Sequence, residues 1–90
     1  MDKETKLYQE LDNISNNIKL IELKIKKNKF FIETLLSNKP YIFQIKKYNK
    51  YKSNLNTVYK DYNKNNDILY NELLNLEKIQ EQIHKLSNNQ

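Results

Sequence analysis

From Leu7 onward, apolar side chains recur at alternating steps of four and three: Leu7, Leu11, Ile14, Ile18, Ile21, Ile25, then Asn28, then Ile32 and Leu35. A period of 3.5 residues returns all of them to one face of an α-helix, whereas a strand would need a period of two. This is a heptad pattern with Leu7 at d and Leu11 at a, and Asn28 is its one polar member. A repeat sustained over four heptads points to a coiled-coil seam. A second run continues with Tyr41, Gln44, Tyr48, Tyr51, Leu55, Val58, Tyr62, Asn65, Leu69, Glu72, Leu76, Ile79, Ile83 and Leu86. Tyr41 falls at a, and Gln44, Asn65 and Glu72 are the polar exceptions.

Ser37-Asn38-Lys39-Pro40 separates the two runs and holds the only proline of a chain without glycine. Asparagine tolerates the left-handed conformation that ends many helices. Pro40 disfavours helical geometry at Lys39 yet suits the first turn of a following helix. The expected fold is therefore all-α, a long antiparallel helical hairpin in a single domain of 90 residues. Helix 1 is expected over about 2–37, the turn over 37–40 and helix 2 over about 41–87, with a fraying tail at Ser87-Asn88-Asn89-Gln90. Asp2 is the expected N-cap of helix 1. Folding on this turn would set Leu7 and Leu11 across from positions near Leu69, so that Leu76, Ile79, Ile83 and Leu86 overhang. Tyr62-Asn63-Lys64-Asn65-Asn66-Asp67 is rich in poor helix formers, and a break there would give a three-helix bundle with Asp67 as a cap. Continuity is the reading adopted, because the heptad phase runs through the segment.

Leu20, Leu23, Phe30 and Phe31 lie off the first seam, and Ile45, Tyr59 and Leu73 widen the second. A helix apolar on more than one side is usually covered by more than one neighbour. The expected association residues are Leu20, Leu23 and Phe30, together with the overhanging Leu76, Ile79, Ile83 and Leu86. Assembly into a four-helix or larger bundle, as a homo-oligomer or with a helical partner, follows from that expectation. Asn28 reads either as a register-setting polar residue or as compositional drift, and composition favours drift. All sixteen basic side chains are lysine, alanine is absent and asparagine abounds, as an AT-rich genome would produce.

Charge is segregated in a way that uniform drift does not explain. Residues 24–52 hold nine lysines against Glu33 alone, a net of +8 within a chain of +5. Six of the ten aromatic residues share this stretch. Lys46, Lys47, Lys50 and Lys52 interleave with Tyr48 and Tyr51 and form the candidate contact for phosphate or another anion. Without arginine, bidentate base readout is not expected, so any nucleic-acid binding should be non-specific. Membrane binding is not expected, because the lysines do not oppose one apolar face.

Catalytic signals are missing. His84 is the only histidine and stands beside Glu81, short of the ligands zinc needs. Glu77 and Glu81 lie one turn apart, but Glu81 is also spaced to pair with Lys85. No cysteine is present, and no glycine loop can cradle phosphate. Asn13-Ile14-Ser15 matches the glycosylation pattern, but Ile14 is a seam position. Met1-Asp2-Lys3-Glu4 lacks an apolar leader core, so an intracellular, by default cytoplasmic, protein is expected. The expected function is that of a non-enzymatic structural or interaction protein with no cofactor or metal. The alternatives are a nucleic-acid-binding accessory protein or a phage or viral inhibitor of a nucleic-acid-binding enzyme.

Overall fold

The computed structural model describes residues 2–88. Two long helices, α1 (Lys3–Ser37) and α2 (Ile45–Asn88), make an all-α hairpin. No strand occurs among the described residues. α2 runs unbroken through 63–67, so the three-helix alternative is not formed. Ser87 and Asn88 are still helical, while Asn89 and Gln90 lie outside the described residues.

The start of α1 is capped by Asp2, whose Oδ1 accepts the Thr5 backbone N–H at 2.8 Å. An anionic cap also suits the positive end of the helix dipole. The Thr5 backbone N–H, reinforced by the Thr5 side chain, holds the Asp2 carboxyl below its ordinary value. A depressed folded-state pKa stabilises the first turn above the unfolded pKa of about 3.9, and this contribution fades as pH falls through the lower folded value. Protection of the Thr5 amide, its exchange rate relative to that of an unstructured chain at the same pH, should therefore fall in that acid window. Asp2→Ala should leave this amide unprotected throughout, and unchanged protection in that variant would remove the cap from the account.

At its other end α1 closes without the expected left-handed residue. None of the described residues has positive φ. Instead Asn38 donates its side-chain amide to the Thr34 carbonyl at 2.8 Å, and its backbone N–H is shared between the Thr34 and Leu35 carbonyls at 3.2 Å. The Ser37 hydroxyl donates to the Glu33 carbonyl at 2.8 Å. The shared Asn38 N–H thus supplies the Thr34 and Leu35 carbonyls, and the two side chains add second bonds to carbonyls of the last turns.

α2 begins at Ile45 and not at Tyr41. Residues 38–44 form the connection, closed by a turn in which the Gln44 N–H donates to the Tyr41 carbonyl at 3.0 Å. The Gln44 carbonyl then accepts from Tyr48 at 2.8 Å and opens the helix.

The chain divides into two compact units, Met1–Glu22 with Asp67–Gln90 and Leu23–Asn66. Leu7, Ile18, Ile21 and Ile79 are buried in the first. There Leu7 lines one cleft with Gln82, Lys85 and Leu86. The expected overhang is corrected on this point: Ile79 is buried, and Leu76, Ile83 and Leu86 are half-buried within the single chain. Burying Ile79 is worth roughly 1.5–3 kcal/mol, and half-burying Leu76, Ile83 and Leu86 adds a part of that for each, together more than a helical turn at 41–44 would contribute.

The second unit buries Ile25, Ile32 and Tyr51, and with them Asn28 and Asn65. Its helix segments run antiparallel. Asn28 meets Asp61 and Asn65, while Leu35 lines a cleft with Tyr51 and Asn54.

Candidate interaction surface

Both seam asparagines belong to one hydrogen-bonded cluster in the second unit. Asn65 donates its Nδ2 to Asn28 Oδ1 at 2.8 Å, and Asn28 donates its Nδ2 to Asp61 Oδ2 at 3.0 Å. Asn28 and Asn65 are only 6% and 7% exposed. A primary amide carries both a donor and an acceptor, so Asn28 can serve as the middle member of such a chain. Drift does not account for it: Asn28 is a paired core residue. The sequence carried the signal, since Asn28 and Asn65 both interrupt their seams, but it did not show that they face each other.

The charge asymmetry sharpens on the unit boundaries. Leu23–Asn66 contains eleven lysines against Glu33 and Asp61, a net of +9. The other unit holds five lysines and nine acids, a net of −4. All nine lysines of residues 24–52 are exposed, Lys46, Lys47, Lys50 and Lys52 among them.

The rings of this stretch are less available than its lysines. Tyr51 is buried and Tyr48 half-buried, with their centroids 5.9 Å apart. The Lys52 ammonium lies 5.6 Å from the Tyr48 ring centre, within cation–π range. Tyr41 and Phe43 stack on each other at 5.3 Å and 11°. Phe30 and Phe31 pack edge to face at 6.1 Å.

Leu20, Leu23 and Phe30 are exposed, as off-seam positions should be. Leu23 and Phe30 stand one heptad apart at f, on the face of α1 turned from the seam. The widening residues Ile45, Tyr59 and Leu73 are also exposed. Tyr41, Ile42, Phe43 and Ile45 were not singled out as a surface by the heptad reading, which set Tyr41 in the core. Their signal was the position of an apolar run directly after Lys39-Pro40.

His84 is exposed and lies 3.1 Å from the Asn88 amide through its Nε2. Among the described residues no group of three or more His, Cys, Asp or Glu could hold a metal ion. No family model, curated protein or solved structure matches this chain.

Proposed function

We propose that this chain is a non-enzymatic helical interaction protein that works by associating with copies of itself or docking on a helical assembly. The observation that supports the reading is the exposed pair Leu23 and Phe30 on the back of α1. Leucine and phenylalanine at heptad spacing on an outer face form a short second seam, which another helix can cover. Exposed apolar surface of this kind marks interaction sites on soluble chains.

Sedimentation across a dilution series tests the proposal. Association should be seen at micromolar concentration, with melting that depends on concentration. Leu23→Ser combined with Phe30→Ser should weaken it by about a hundredfold or more, since two large side chains per copy lose their burial. Helicity of the dissociated chain should not change, because neither residue contributes to its core. A fully helical monomer at every concentration would overturn the proposal.

The exposed lysines of the +9 unit favour a second reading, non-specific binding of nucleic acid. Its aromatic half has weaker support, with Tyr51 buried and two pairs of rings packed on each other. A steeply salt-dependent shift with mixed-sequence DNA, abolished when Lys46, Lys47, Lys50 and Lys52 become glutamine, would carry it.

A further inference from the structure

The four most exposed large apolar side chains among the described residues are Tyr41, Ile42, Phe43 and Ile45, between 68% and 78% exposed. They sit together in the connection and at the first position of α2. Surface connections are ordinarily polar, and nothing in either seam requires these side chains. Lys39 precedes them and Lys46, Lys47 and Lys50 follow, all exposed. No acid occurs between Glu33 and Asp61. A compact apolar tip ringed by cations therefore projects from the strongly positive unit.

Nucleic acid does not account for this surface. Ile42 and Ile45 have no π face for a base, and Tyr41 and Phe43 each give one ring face to the other. An anionic bilayer uses every part of it. Aliphatic and aromatic side chains enter the boundary between headgroups and acyl chains, while lysine stems lie along apolar surface and keep their ammonium groups among the phosphates. We propose that the connection is a peripheral membrane anchor, in which Tyr41, Ile42, Phe43 and Ile45 insert into an anionic lipid surface and Lys39, Lys46, Lys47 and Lys50 hold its headgroups. Among the described residues no helix is long and apolar enough to cross a membrane, so the contact is with one leaflet. The sequence expectation against membranes concerns lysines opposite one apolar helix face; the tip needs no such face, because its apolar side chains lie in the connection and at the first position of α2. The anchor does not depend on self-association.

The chain has no tryptophan, so Phe43→Trp supplies a single indole reporter at the tip. With vesicles of phosphatidylcholine mixed with phosphatidylserine, its emission should shift to the blue. Phosphatidylcholine alone should leave the emission unchanged, and added salt should weaken the response. Adding Ile42→Ser and Ile45→Ser should lower partitioning by about tenfold or more, with circular dichroism unchanged. An absent shift with the anionic vesicles, an equal shift with both lipids, or unchanged partitioning of the serine variant would each overturn the anchor. A shift seen with duplex DNA but not with vesicles would also overturn it and assign the tip to nucleic acid.

Discussion

Asn28→Leu should destabilise the hairpin by about 2–3 kcal/mol, although it places a larger apolar side chain in an apolar seam. The substitution strands the Asn65 amide, which is buried and has Asn28 as its partner. A buried polar group left without a partner loses its hydration and gains nothing in return. Asn65→Leu should cost less, about 1 kcal/mol, because Asn28 keeps its bond to Asp61 and only its carbonyl oxygen is orphaned. The double substitution Asn28→Leu with Asn65→Leu should recover most or all of the loss, as replacing both members of a buried polar pair often does. Urea unfolding followed by circular dichroism gives the three values, and their coupling is the test. If Asn28→Leu alone raises stability, the pair contributes nothing to the fold. In the double variant the expected defect is loss of a unique register, because an apolar seam also accepts a slide by one heptad. That slide would set Asn28 opposite Val58 and leave both amides of the parent chain unpaired.

Adjacent residues on α1 should respond in opposite ways to the same truncation. Ile21 is 9% exposed and Leu20 is 59% exposed. Ile21→Ala should lower stability by about 2–4 kcal/mol, through lost burial and an imperfectly filled cavity. Leu20→Ala should change the dissociated chain by only a few tenths of a kcal/mol, since alanine is the better helix former and no core contact is lost. Thermal melts at a concentration below association make the comparison. Equal losses would mean that Leu20 is covered within the chain and that the seam is drawn in the wrong place. At higher concentration Leu20→Ala becomes informative again, because any further loss there reports burial in an assembly.

Much of the fold was legible because helical periodicity is a local property. Every seam position of α1 from Leu7 to Leu35 is buried or half-buried, and so is every seam position of α2 from Tyr48 to Leu86. Asp2 caps α1 as its position implied, and the heptad phase carried α2 through its run of asparagines. A side chain's phase on its own helix follows from 3.6 residues per turn, with no knowledge of the partner.

The slide of one helix along the other was not legible, for the same physical reason. A heptad seam matches itself after every shift of seven residues, so its period cannot choose among registers. Asn38 and Pro40 mark where the chain reverses but not how far one helix slides along the other, so a tight turn at 37–40 leaves Leu76 to Leu86 without partners. In the folded chain the connection runs over 38–44, Leu7 shares a cleft with Leu86, and Tyr41 leaves the core. What breaks the degeneracy is aperiodic: apolar side chains at the end of α2 that need cover, and one buried amide pair that aligns at a single setting. Those terms exist only between two helices. The sequence by itself determined which face of each helix is covered; the tertiary structure decided which residues meet there and which apolar side chains remain at the tip.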